Sequence, residues 1–226
     1  MRIDGFASVF SLNLYRYPQA GEPPAAAPVE QLLITMGVNG VDAAIIVQPP
    51  QYGLDHSYLS AALEMYPDKV RAICAAGSPA IGQAGVIGAR FDSATLSTHA
   101  EAAQRVLDAG KLIYLTEPAD VSGLEGGRFF LEVPRSAVTR SSVDRLLTAA
   151  RDPRIGILVV GDSPAAADFA EALTSLEDSL GGRRLAWGSG FPGSGASEGY
   201  AAAIAGLAGL NGGLCFDPAD PAKEPE

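Results

Sequence analysis

Residues 43 to 59 read Ala43-Ala44-Ile45-Ile46-Val47-Gln48-Pro49-Pro50-Gln51-Tyr52-Gly53-Leu54-Asp55-His56-Ser57-Tyr58-Leu59. Ala43–Val47 is an apolar run with no polar alternation, which is the pattern of a strand buried on both faces. A proline- and glycine-bearing turn follows. Asp55 then caps a helix that runs through Leu59, Leu63 and Met65. Strand, turn and helix in that order make the repeating unit of a parallel sheet.

Outward from this unit the same pattern recurs along the chain. Strands are expected at Met1–Ile3, Val70–Ala75, Val86–Phe91, Leu112–Leu115, Phe129–Val133, Ile155–Val160 and Leu185–Trp187. Helices are expected at Glu30–Met36, from Ser97 to Ala109 with a Thr98-x-x-Glu101 capping box, at Ser141–Ala150, after Ser163-Pro164, and at Ser197–Leu210. Eight strand–helix units of about 28 residues predict an α/β fold, a (β/α)8 TIM barrel near its lower size limit. An open doubly wound sheet is the alternative. The connections Ser78–Gly85 and Glu117–Gly127 are too short or too rich in Gly and Pro for full helices, so the barrel is pruned. Strand faces left uncovered there predict exposed apolar surface and a homodimer. Pro18–Pro28 reads as a stiff loop on the active face. The domain is expected to span 1–216, with an acidic, proline-rich disordered tail at 217–226.

The 226 residues are 47% hydrophobic, enough for a full core. Acidic residues number 26 against 16 basic, a net charge of −10, which disfavours nucleic acid and anionic membrane as partners. Cys74 and Cys215 lack CxxC spacing and read as buried thiols of a reducing compartment. No charged-then-apolar leader and no apolar run near ~18 residues is visible, so a cytoplasmic protein without membrane contact is expected.

Several segments resemble the amidohydrolase superfamily, the metal-dependent TIM-barrel hydrolase and decarboxylase branch. Met1-Arg2-Ile3-Asp4-Gly5-Phe6-Ala7-Ser8-Val9-Phe10 is similar to its first strand. Val47-Gln48-Pro49 through Tyr52-Gly53, Asp55 and Ser57-Tyr58-Leu59 is similar to its V-Q-P-x-x-Y-G-x-D-N-S-Y-L segment. Ala62-Leu63-Glu64-Met65-Tyr66-Pro67, Gly88-Ala89-Arg90-Phe91 and Arg184–Pro192 extend the likeness. The resemblance implies a metal site of imidazoles from strands one, five and six and a carboxylate from strand eight. Here those positions hold Phe6, Ser8, Thr116, Val133 and Gly190. The only histidines, His56 and His99, both fall at helix starts and read as surface or capping residues. No metal and no cofactor is therefore expected.

The remaining motifs have plainer readings. Gly188–Gly193 matches GxGxxG, but in the last strand and interrupted by Pro192. The Gly188–Gly199 loop leading into a helix offers an anion site, against a plain flexible loop. Gly195–Gly199 matches GxSxG, with Ser197 better placed as a helix N-cap than as a nucleophile. Charged groups ending strands are the stronger candidates, namely Arg90, Asp92, Glu117, Glu132, Arg135 and Asp162. Glu117, Glu132 and Asp162 are the candidate proton-transfer residues. Arg90, Gln48, Tyr52, Ser8 and Ser189 are the candidate ligand contacts, with Arg90 the anchor for a small anion. Two functions fit: a metal-independent hydrolase, lactonase or lyase on a small carboxylated compound, or a catalytically inactive barrel that binds a ligand or joins a complex.

Overall fold

Apolar runs flanked by helices can bury both faces only in a parallel sheet, and that is what they form. The computed structural model describes residues 1–21, 27–161, 164–193 and 197–205. Its strands are β1 (Ile3–Ala7), β2 (Ala43–Val47), β3 (Val70–Ala75), β4 (Val86–Phe91), β5 (Leu112–Leu115), β6 (Phe129–Pro134), β7 (Ile155–Val160) and β8 (Leu185–Gly188). They pair in sequence order, every pair parallel. The ring is completed between β1 and the end of β8, where Ala7 and Phe191 form a parallel bridge. There Ser8 N donates to Phe191 O (2.8 Å) and Gly190 N to Phe6 O (2.9 Å). This is the (β/α)8 barrel, not the open sheet.

Alternation along the strands sorts the core into two layers. Ile45, Val47, Ile73, Tyr114, Phe130, Leu158, Val160 and Ala186 pack together in the lumen. Ala44, Ile46, Ala72, Ile113, Leu131, Val133 and Trp187 belong to the outer layer, beneath the helices. Gly88 and Gly188 are required by close approach. A Cβ on Gly88 would lie 2.4 Å from Leu112 O, and one on Gly188 2.3 Å from Phe6 Cβ.

The helices are α1 (Val29–Val38), α2 (Ser57–Met65), α3 (Ser93–Thr98), α4 (Ala100–Asp108), α5 (Val143–Ala149), α6 (Phe169–Leu180) and α7 (Ser197–Ala205). Three local expectations are corrected. The segment expected as one helix from Ser97 is two short helices broken at His99. Asp92 caps the first by accepting from Thr95 N (2.6 Å), and Thr98 Oγ1 donates back to Ala94 O (2.8 Å) instead of building a capping box. Pro164 is not a first helical residue, since α6 begins only at Phe169; Ser163 lies outside the described residues. The first strand runs past Ile3 to Ala7, because Asp4 is accommodated inside it.

Between β3 and β4 there is only a short 3-10 turn, Pro79–Gly82, and between β5 and β6 the described chain is loop. Neither exposes the apolar surface expected there. Val121 and Leu124 fold down onto the outer layer, and the large exposed apolar side chains lie elsewhere: Leu12, Leu14 and Tyr15 after β1, Leu54 before α2, and Ile34, Val38 and Met65 on α1 and α2. Among the described residues no helix is long and apolar enough to cross a membrane. The boundary expected at 216/217 and Cys215 lie outside the described residues. Cys74 is buried, and burial pushes its thiol up to about 11.

Candidate functional site at the C-terminal mouth of the barrel

Arg90 lies near the end of strand β4 and Glu132 near the end of β6, both on the lumen side and at the end where barrel enzymes carry their chemistry. The two meet side-on. Arg90 Nε donates to Glu132 Oε1 (2.8 Å) and Nη2 to Oε2 (2.6 Å). The Phe6 ring lies against the guanidinium, 5.6 Å from its carbon. Arg90's side chain keeps 30% exposure while Glu132's keeps 8%, so the cation faces the mouth and the carboxylate lies behind it. Deeper in the lumen, Tyr114 is fully buried and its hydroxyl donates to Gly5 O (2.9 Å); burial, then the nearby carboxylates of Glu132 and Asp4, push its pKa well up.

The other predicted residues are not drawn to this pair. Glu117 is exposed and accepts from both the backbone N and the hydroxyl of Ser93, tying the loop after β5 to the start of α3. Asp162 lies outside the described residues. Gln48 is buried and its Nε2 donates to Asp55 O (2.7 Å), bracing the turn between β2 and α2. Tyr52 is buried between Phe10 and Tyr58, and its hydroxyl accepts from Ser11 N (2.7 Å). Ser8, half-buried, donates to Val47 O at the end of β2 (3.4 Å). Ser189 is wholly buried and donates through Oγ to Asp4 Oδ2 (2.5 Å). Arg135 reaches Ala202 O on α7 (2.8 Å) and stacks over Phe169.

Among the described residues, the first part of the loop after β8 does not offer its N–H groups to an anion. The backbone N–H groups of Ser189, Gly190, Phe191 and Gly193 already donate to Asp4 Oδ1, Phe6 O, Ser189 Oγ and Gly190 O. His56 is also corrected. It precedes α2, but it is buried, with Nε2 accepting from Ala75 N (3.3 Å) and Nδ1 beside Leu54 O (2.8 Å).

Sequence reading missed Asp4. It sits in the seam between β1 and β8 and accepts from Phe6 N, Ser189 N, Ser189 Oγ and Tyr200 Oη. A lone carboxylate inside an apolar opening strand was the available signal.

The metal site that the sequence resemblance implies does not fit these residues. Val133 points into the outer layer, so the mouth-facing group on β6 is Glu132, already held by Arg90. Gly190 has φ +68°, a backbone an L-residue rarely adopts, and Phe6 offers no donor. Among the described residues no three His, Cys, Asp or Glu side chains come together to hold a metal ion. Both imidazoles are engaged away from the Arg90–Glu132 pair, His56 Nε2 with Ala75 N and His99 Nδ1 beside Thr98 Oγ1.

No family model matches the chain, and no curated protein matches it in sequence. Solved structures do. A protein from Pseudomonas putida described as a 2-pyrone-4,6-dicarboxylic acid hydrolase is 24% identical, with a TM-score of 0.72 over 92% of this chain and 89% of its own. One from Acinetobacter baumannii, described likewise and carrying citric acid, is 18% identical, with a TM-score of 0.70 over 91% and 90%. A zinc-bound amidohydrolase from Burkholderia multivorans is 15% identical, with a TM-score of 0.68 over 92% and 90%. The shared fold is the (β/α)8 barrel.

Proposed function

We propose that this amidohydrolase-type barrel acts without a metal on a small carboxylated compound, as a hydrolase, lactonase or lyase. The observation that carries the proposal is the Arg90–Glu132 pair at the mouth. Arg90 is a permanent cation with donors to spare, and a guanidinium fork matches a carboxylate. It anchors the substrate's acid group. Glu132, beside it, is the group positioned to take or give a proton at the bound compound. Two of the matching structures are described as hydrolases of a dicarboxylic acid and one of them holds citric acid, which supports this reading.

The test is a thermal-shift and turnover screen of 2-pyrone-4,6-dicarboxylate, citrate and related acids on wild type and Arg90→Ala. Stabilisation of wild type alone, by several degrees, with product formed, supports the proposal. Equal response of the variant, or no response of either, ends it.

A second function, a non-catalytic binding subunit, is favoured by Glu117. It is drawn away to Ser93, so among the described residues only one carboxylate stands at Arg90 and no acid–base pair is assembled. Acid binding without turnover in the same screen selects it. A homodimer, tested by light scattering across concentration, would use the apolar side chains of α1 and α2 instead of the pruned faces.

A further inference from the structure

We infer that the tip of the loop after β1 enters a zwitterionic phospholipid bilayer and docks the barrel on it, mouth toward the lipid. The loop leaves β1 at the same end as Arg90, which Phe6 of that strand touches. Its tip carries Leu12, 68% exposed, Leu14, 55% exposed, and Tyr15, fully exposed. Single apolar side chains on a surface are ordinary, whereas a contiguous group marks an interaction site. No other four consecutive described residues hold even two large apolar side chains so exposed.

The tip is held out by its own bonds. Ser11 N donates to Tyr52 Oη (2.7 Å), Asn13 N to Ser11 Oγ (3.0 Å), Arg16 N to Asn13 Oδ1 (3.0 Å) and Tyr17 N to Asn13 O (2.9 Å). Beneath it the Tyr17 ring packs on Tyr58, 5.0 Å between centres, and Tyr58 on Tyr52. Folding the leucines back would break this turn. It is already ordered for contact and loses little freedom on docking.

The chemistry of the tip selects the partner. Side chains this exposed project from the surface and line no groove, so they enter the partner instead of receiving it. Residues 5–21 carry Arg16 as their one charge and no Asp or Glu, in a chain of net charge −10. The net charge repels an anionic surface, while the acid-free tip can approach phosphate where choline balances it. The leucines then enter the acyl boundary and the Tyr15 ring sits among the headgroups. Arg16, whose guanidinium lies over the Tyr17 ring at 5.2 Å, has the long stem that reaches lipid phosphate. Leu54, 61% exposed, adds an apolar side chain on the turn that the loop's exit meets through Ala20 N and Gln51 O (2.8 Å). Such a contact needs no spanning helix, and none is present among the described residues.

Sedimentation of the full chain with phosphatidylcholine vesicles tests this. Wild type should pellet with the vesicles, and Leu12→Ser combined with Leu14→Ser should lower that partitioning about tenfold or more. Tyr15→Trp gives a second readout, since Trp187 is nearly buried in the outer layer. The emission this substitution adds should move to the blue with vesicles and be quenched by lipid brominated near the headgroup. Binding of lipid does not depend on Arg90 as an anchor, so the serine pair should respond to citrate as wild type does. Wild type that stays in the supernatant, or partitioning that the serine pair leaves unchanged, overturns the inference. So does a lipid-free dimer in light scattering that the serine pair dissolves, which gives the tip to a second copy of the chain.

Discussion

Asp4 is fully buried, and its carboxylate accepts from Phe6 N (3.1 Å), Ser189 N (2.8 Å), Ser189 Oγ (2.5 Å) and Tyr200 Oη (3.0 Å). Loss of solvation outweighs those four donors and lifts its pKa from 3.8 to about 6. A carboxyl whose folded pKa lies above its unfolded value contributes most to stability when protonated in both states, below about pH 4. Between pH 4 and 6 the unfolded chain gives up the proton first, and stability falls by roughly 3 kcal/mol before levelling off. Other carboxylates, such as those of Asp92 and Asp152, are held low by hydrogen bonds and slope the opposite way. The comparison is therefore with Asp4→Asn, by urea melts at pH 4.5 and 7.5. Wild type should lose more, or gain less, stability across that interval than the variant. Parallel pH profiles would show that the carboxylate stays ionised throughout, its donors winning after all. Asp4 was not legible as a site residue because its partners are 185 and 196 positions away. Glu132 was legible as a strand-end charge. The placing of Val133 at the mouth failed because Phe129-Phe130-Leu131-Glu132-Val133 is apolar on both faces, and such a run carries no period from which to read which residues face the lumen.

The strands were legible as elements because burial on both faces writes itself as uninterrupted apolar runs; β2, β3, β4, β5 and β7 have the expected bounds. Helix starts were less so. Thr98 and Ser163 fit the residue preferences of caps, but tertiary contacts set where α4 and α6 begin. Asp168, before α6, shows this. Its side chain accepts from Arg140 N (2.9 Å) and so joins that helix to the turn ahead of α5. The pruned connection after β5 shows what replaces a missing helix. Arg154, just before β7, donates to the carbonyls of Leu124 (2.6 Å), Val121 (3.0 Å) and Gly126 (3.2 Å) and is held by Asp152 (2.7 Å). Its guanidinium also lies over Phe129, 5.4 Å from the ring centre. One cation thus satisfies loop carbonyls that no helix bonds, which keeps Val121 and Leu124 on the core. Arg154→Ala should cost about 1–3 kcal/mol, the scale of hydrogen bonds made by a charged, partly exposed group. Cleavage within 116–128 by a protease should quicken, while the response of the mouth to anions stays that of wild type. Arg154→Lys should fall between, since a point charge cannot serve three diverging carbonyls. An unchanged cleavage rate in the alanine variant would mean that apolar packing alone holds the loop.

A barrel tolerates lost helices because closing the sheet removes its edges, so pruning sacrifices packing and not backbone hydrogen bonds. That makes the β1–β8 seam decisive for the whole molecule. It is joined by few direct ladder bonds, with Asp4 bound to Ser189 as a polar bolt beside them. The chain's one tryptophan, Trp187, sits on β8, nearly buried in the outer layer next to that seam, and reports directly on it. If closure and folding are one event, the loss of buried Trp187 fluorescence and the loss of far-ultraviolet circular dichroism coincide in a denaturant titration. A fluorescence transition that precedes the dichroism would show the ring opening into a sheet while the remaining strands persist, and closure would then be an addition to the fold instead of its condition. Gly188→Ala sharpens the test. The added methyl would fall 2.3 Å from Phe6 Cβ and 2.5 Å from Phe6 N, against backbone that cannot yield without parting the strands. Overpacking of this kind costs about 1–3 kcal/mol in a core that can adjust, and more where backbone is the obstacle. The variant's single transition should move to lower denaturant by at least that amount. Because Phe6 also backs the Arg90 guanidinium, anion binding at the mouth should weaken in the same variant even where it remains folded.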